Sequence, residues 1–133
     1  MDRSPGWVSS VTAQPTTAIP QTHTEWQQTV VDLLHTLGWQ HLHVRKSVGR
    51  GRRWTTTTNI VGWVDLFAWH PAKGGVVAIE IKVRPDSPTV DQLAVHASLR
   101  AAGIPTYVWY PEHFDYAVLV LRDLLMGEQR PND

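Results

Sequence analysis

With 133 residues, 42% of them apolar, the chain can build one compact core and has little left for a second. It has no cysteine, which excludes disulfides, thiolate nucleophiles and Cys-rich zinc sites. Twelve Lys and Arg balance twelve Asp and Glu, so total charge names no polyanionic partner, yet Arg45, Lys46, Arg50, Arg52 and Arg53 crowd the segment 43–60 with no acid among them.

The first residues, 1–22, are rich in Ser, Thr, Pro, Gln and Ala without an apolar period and are expected to form a flexible tail. A single domain is expected over 23–126, followed by a short tail at 127–133. Thr24 is the expected N-cap of a first helix that carries Trp26, Val30, Leu33, Leu34 and Leu37 at helical spacing and stops at Gly38. A strand is expected from His41 to Lys46, then a Gly, Arg and Thr-rich loop from Ser47 to Asn59.

Val61 to His70 and Val76 to Arg84 read as two strands of an antiparallel hairpin, joined by Pro71-Ala72-Lys73-Gly74-Gly75. After the breaker Pro85-Asp86-Ser87-Pro88, Thr89 caps a second helix with Leu93, Val95, His96, Leu99 and Ala102 near one side. Thr106 to Tyr110 is a further strand. Asp115 to Met126 is expected to be a helix with Tyr116, Leu119, Val120, Asp123 and Leu124 at helical spacing, although 117–121 also fits a strand. The order α-β-β-β-α-β-α predicts an α/β or α+β domain, a mixed sheet flanked by helices. No apolar run reaches the length of a membrane span and the start lacks the layout of a secretory signal, so a soluble, cytoplasmic protein without a membrane partner is expected.

Chemistry concentrates in the hairpin. The strand period of two puts Val77, Ile79, Ile81 and Val83 on one face and Glu80 with Lys82 on the other. Asp65, on the preceding strand, shares a face with Trp63, Phe67 and Trp69, where a carboxylate is costly unless something positive meets it. Two carboxylates brought together across a hairpin repel, and a bound Mg²⁺ would relieve this while supplying a Lewis acid for phosphodiester hydrolysis. Lys82 would orient the attacking water or balance transition-state charge. The plain alternative is an exposed cross-strand ion pair worth less than about 1 kcal/mol.

Gly62-Trp63-Val64-Asp65, then Glu80-Ile81-Lys82, then Gln92 with Leu99-Arg100-Ala101-Ala102-Gly103 resemble the PD-(D/E)XK nuclease superfamily, and within it the VRR-NUC group. Glu25, Leu37-Gly38-Trp39 and Val44-Arg45 also resemble the archaeal-type Holliday-junction resolvases. The resemblance runs from about Glu25 to Tyr110 and implies a restriction-endonuclease-like core. It implies metal ligation by Asp65, Glu80 and the Ile81 carbonyl, Lys82 beside the water, Glu25 as a further acidic ligand or water-holder, and Gln92 supporting the site from its helix. Val64 stands where the superfamily name expects Pro, which bears on backbone shape and not on ligation.

The resemblance further implies a Mg²⁺-dependent endonuclease acting on DNA, with Mn²⁺ able to substitute and no nucleotide cofactor. The expected substrate is branched DNA such as a Holliday junction, the expected products carry a 5′-phosphate, and the expected source is a phage or bacterium. Two symmetric cuts need two active sites, hence an expected homodimer. A restriction-like, nicking or repair nuclease, and a non-catalytic nucleic-acid-binding protein of the same fold, are the alternatives.

Several residues carry two readings. Glu25 shares a helical stripe with Thr29 and Leu33 that would aim it inward, but a first-turn acid also compensates the helix dipole. Gln92 is either a support of the site or a solvent-facing helix residue. Arg45, Lys46, Arg50, Arg52 and Arg53 are read as DNA phosphate contacts with Trp54 stacking on a base, against a solvated charge run. His41 and His43 face one way on a strand but lack a third ligand, so they read as a surface pair. Trp7, Trp26, Trp39, Trp63, Trp69 and Trp109 read as core or tail residues.

Overall fold

The structure, a computed structural model, describes residues 21–44 and 60–127, together with the strand backbone at 46–48 and 54–56. In chain order the elements are α1 (His23–Thr36), β1 (Gln40–His43), β2 (Lys46–Val48), β3 (Trp54–Thr56), β4 (Leu66–Trp69), β5 (Val76–Ile81), α2 (Val90–Ala101), β6 (Thr106–Trp109), a single 3₁₀ turn (Pro111–His113) and α3 (Phe114–Leu125). Four strands form a mixed sheet in the order β1-β4-β5-β6, antiparallel except for the β5–β6 pair. A parallel pair needs a crossover, and α2 supplies it.

The expected order lacks two strands. β2 and β3 pair antiparallel as a separate ribbon, Val48 opposite Trp54 and Lys46 opposite Thr56, within what the sequence suggests is the end of one strand and a loop. The β-branched and aromatic run Trp54-Thr55-Thr56 suits a pleated backbone, and the Gly and Arg content of the segment masks that signal. The hairpin strands are also shorter than expected, because residues 61–62 form a turn, the first strand begins only at Leu66 and the second ends at Ile81.

Strand alternation sorts the sheet into two faces. On one, Leu66, Ala68, Val77, Ile79, Ile81, Tyr107 and Trp109 meet Trp26, Val30 and Leu34 of α1 and Ala117, Val120 and Leu121 of α3 in the main core. Each large side chain buried there stabilises by about 1.5–3 kcal/mol. The buried stripe of α1 is therefore Trp26, Val30 and Leu34, one residue on from the Glu25, Thr29, Leu33 line, and Glu25 is exposed. In α3 the phase also differs: Ala117, Val120 and Leu121 are buried while Leu119 is 41% exposed. Segment 117–121 is helical throughout, not strand.

The N-cap of α1 is Thr22, not Thr24. Thr22 Oγ1 accepts from the Glu25 backbone N–H at 3.1 Å and Glu25 Oε1 accepts from the Thr22 N–H at 3.0 Å, so both orphan donors are met two residues earlier than a Thr24 cap would allow. Thr89 caps α2 in the same reciprocal way with Gln92. Expectations that fall on residues 1–20, including Trp7, and on 128–133 lie outside the described residues. Among the described residues, no helix is long and apolar enough to cross a membrane.

Candidate active site

Asp65 and Glu80 sit at the two central strands of the sheet. The β4–β5 register pairs Leu66 with Ile79, and one step further along it brings Asp65 level with Glu80 on the face opposite the main core. Both carboxylates are buried, at 7% and 1% exposure. Burial of an ionised carboxylate is tolerated only where donors or counter-charge meet it, and both carboxylates have such partners. The Ile81 backbone N–H donates to Asp65 Oδ2 at 2.8 Å. The Asp65 carbonyl accepts from the Val44 N–H, which ties this turn to the chain leaving β1.

Glu80 is gripped from α2. Gln92 Nε2 donates to Glu80 Oε2 at 2.9 Å, and His96 Nε2 stands 3.4 Å from Glu80 Oε1. A carboxylate oxygen only accepts, so His96 presents its Nε2–H there, and its buried Nδ1 has no hydrogen-bond partner. Lys82 Nζ lies 3.8 Å from Glu80 Oε2 with its side chain 14% exposed, an ion pair longer than a hydrogen bond. The backbone of Lys82 is anchored by its N–H to the Trp109 carbonyl on β6. This is a buried network, unlike the exposed cross-strand ion pair that the Glu-x-Lys spacing also allows.

Gln92 performs two local tasks at once. Its Oε1 accepts from the Thr89 N–H and closes the helix cap, which leaves its amide free to face Glu80. Gln92 is 6% exposed and so is not a solvent-facing residue. The inward side of α2 is Gln92 with His96, while Leu93 is 53% exposed, contrary to the apolar stripe expected there. Helix phase is set by what the first turn touches. Gly62 (φ +89°) approaches α2 so closely that a Cβ on it would lie 2.6 Å from the Asp91 carbonyl carbon and 2.8 Å from the Gln92 nitrogen. The Gly-x-x-Asp spacing thus has a physical reason: the glycine admits the helix that carries Gln92, and the Asp follows three residues later. Val64, in the place where Pro was expected, is fully buried.

The loop from Lys82 to α2 is pinned as well. Arg84 stacks over the Tyr110 ring at 3.7 Å and bonds Glu112 at 2.9 Å, while the Tyr110 hydroxyl donates to the Asp86 carbonyl at 2.8 Å.

His23, the first residue of α1, reaches the same place from the other side. Its Nε2 is 3.1 Å from the Ile81 carbonyl oxygen and 4.0 Å from Asp65 Oδ2. Glu25, whose inward aim was expected, is instead held in the capping box. Sequence reading missed His96 and His23. His96 had a usable signal, since Gln92 and His96 are four apart and share a helix face. His23 had none, being 58 residues from Ile81 in sequence.

Among the described residues, no set of three or more His, Asp and Glu side chains gathers into a metal cage. Mg²⁺ does not require one, because it keeps several waters and takes one or two carboxylates. The donor chemistry present fits such an ion: the Asp65 carboxylate, bonded to the Ile81 N–H, and the Ile81 carbonyl are hard oxygens, and Glu80 is level with Asp65.

The remaining site residues divide. Arg45, Arg50, Arg52 and Arg53 lie outside the described residues, while Lys46 and Trp54 fall in β2 and β3, whose side chains also lie outside the description. His41 and His43 sit on the edge strand β1, partly and largely exposed, opposite Ala68 and Leu66. Burial pushes the His41 imidazole below its ordinary range, and the neighbouring His35 and His43 add to the shift. Trp26, Trp39 and Trp109 are core residues, and Trp63 and Trp69 are half-buried. Compared with protein-family models, curated proteins and solved structures, the chain matches none of them.

Proposed function

We propose that this chain is a metal-dependent nuclease that hydrolyses DNA phosphodiesters, with a restriction-endonuclease-like core and Asp65, Glu80 and Lys82 at its centre. The observation that carries this reading is the pair of buried carboxylates level on adjacent central strands, with Lys82 two residues beyond Glu80 and Gln92 bonded to it. A sheet that needed only stability would place apolar residues there, since replacing a buried ion pair by packed hydrophobes is often neutral or better.

Asp65, Glu80 and the Ile81 carbonyl would hold a divalent ion, Mg²⁺ or Mn²⁺. Such an ion supplies a Lewis acid for the phosphate and lowers the pKa of a bound water. The protein's own groups do the rest. The Ile81 N–H orients Asp65 through Oδ2, and Gln92 and His96 fix the rotation of the Glu80 carboxylate. Lys82, partly accessible at the rim of the network, positions water and balances charge that grows on the phosphoryl oxygens. Glu25, on the first turn of α1, faces solvent as a candidate water-holder. Phosphate contact by Arg45, Lys46, Arg50, Arg52 and Arg53, base stacking by Trp54, a preference for branched DNA and a homodimeric assembly all belong to this proposal.

One observation favours a rival. Glu80 is 1% exposed with both oxygens engaged, as in a closed structural network of a nucleic-acid-binding protein without chemistry. Cleavage assays on labelled single strand, duplex, flap, splayed arm and four-way junction, with Mg²⁺ and with Mn²⁺, separate the two. Turnover on any of them, lost in Asp65→Ala, supports the nuclease. Binding without turnover in either metal supports the rival.

A further inference from the structure

We infer that His23 is a metal-ligating residue of this site, so that His23 Nε2 joins Asp65, Glu80 and the Ile81 carbonyl in a mixed nitrogen and oxygen set around the ion. The inference rests on the proposed metal-dependent reading and goes beyond it, because the resemblance assigns the helical donor to Glu25.

Three observations support it. The first is separation. Neighbouring ligands of a six-coordinate ion at about 2.1 Å stand about 3.0 Å apart and opposite ones about 4.2 Å. His23 Nε2 is 3.1 Å from the Ile81 oxygen and 4.0 Å from Asp65 Oδ2, inside that range for both partners. The second is rigidity at the right point. His23 is the first residue of α1, which is capped by Thr22 and Glu25 on one side of it. On the other side, Trp26 Nε1 donates to the Trp109 carbonyl at 2.9 Å and fastens the first turn of the helix to the sheet beside β5. The third is access, for the His23 side chain is half exposed while Asp65 is nearly covered, so an arriving ion meets the ring first.

In the hydrogen-bonded arrangement Nε2 carries its proton, because a carbonyl oxygen only accepts. With the proton on Nδ1 instead, the same nitrogen offers a lone pair to a cation. The Ile81 N–H bonds Asp65 Oδ2, so the ring seated at the Ile81 carbonyl stands beside the Asp65 carboxylate as well. An imidazole in the set moves preference along the first-row series, toward Mn²⁺ and Co²⁺ and away from Mg²⁺.

Pulsed electron paramagnetic resonance on the full chain titrated with Mn²⁺ is the test, with calorimetry of Mn²⁺ and Mg²⁺ beside it. Wild type should show a nitrogen coupling that changes on ¹⁵N-histidine labelling, and Asp65→Ala should abolish the bound signal. His23→Gln, which keeps a donor for Ile81, should remove the nitrogen coupling. It should weaken Mn²⁺ by roughly tenfold or more and Mg²⁺ by much less. Mn²⁺ bound in an Asp65-dependent way but without nitrogen coupling, or with coupling unchanged in His23→Gln, overturns the inference and leaves the nuclease reading standing. No Mn²⁺ binding by wild type overturns both. Should His23→Gln fail to fold, His23→Asn takes its place, and a nitrogen coupling that persists in it overturns the inference.

Discussion

Gly62→Ala tests how the site is assembled, because it acts on backbone spacing and removes no functional group. Gly62 has φ +89°, and an added Cβ would sit 2.6, 2.7 and 2.8 Å from the Asp91 carbonyl carbon, the Asp91 oxygen and the Gln92 nitrogen. These are backbone atoms of the first turn of α2, which cannot swing aside as a side-chain end does. Gly74 supplies the control: its φ is +81°, yet nothing lies within 4 Å of its Cβ position. Both substitutions cost about 1–2 kcal/mol for the left-handed backbone. Only Gly62→Ala adds an overpacking cost, of roughly 1–3 kcal/mol. A difference of about 1 kcal/mol shifts the melting midpoint of a domain this size by about 3–5 °C, so Gly62→Ala should melt at least about 3 °C below Gly74→Ala. Urea unfolding followed by Trp fluorescence measures the difference at constant m. Since the displaced turn carries Gln92, Gly62→Ala should also slow single-turnover cleavage while Gly74→Ala does not. Equal stability of the two variants, within about 0.5 kcal/mol, would mean that α2 does not rest on Gly62, and the account of how Gln92 reaches Glu80 would fall.

Asp65→Ala and Glu80→Ala should each abolish cleavage in Mg²⁺ while DNA affinity, measured by fluorescence anisotropy, stays near wild type. Lys82→Ala should retain metal binding, since a protonated ammonium ligates nothing, but lose roughly a hundredfold in single-turnover rate. A calorimetric loss of metal affinity with normal rate per bound metal would make Lys82 a structural partner of Glu80 instead. Gln92→Leu removes a hydrogen bond to a buried charge and half of the α2 capping box, and should destabilise by about 2–4 kcal/mol in urea titration. For His41 the lowered pKa fixes a sign: below its ordinary pKa near 6.5 the unfolded state binds more protons, so stability falls as pH drops toward the depressed folded value. His41→Asn should flatten that acid-side loss in melts across the window just below pH 6.5, and an NMR titration of His41 at or above its ordinary value would refute it.

Much of this fold is legible in local chemistry. The alternation in Val77 to Lys82 separates core face from site face wherever the strand lies, because successive Cβ atoms leave a pleated backbone on opposite sides. The hairpin and the Thr89 cap follow from turn and capping residues whose preferences operate within a few positions. Asp65, Glu80 and Lys82 could therefore be singled out from spacing and resemblance before any tertiary contact was known. Helix phase is another matter. Leu93 and Leu119 are as apolar as their buried neighbours, and which residue of an amphipathic stripe turns inward depends on where the helix is pinned, here by Gly62 against α2 and by the sheet against α3. For the same reason Glu25 points to solvent while Trp26 does not. His96 becomes part of the site only because α2 crosses the Glu80 face, and His23 only because α1 begins beside the end of β5. Periodicity assigns a residue to a face of its own element. Tertiary packing alone decides which two faces meet, since the free energy of burial depends on contacts between segments that the chain order leaves far apart.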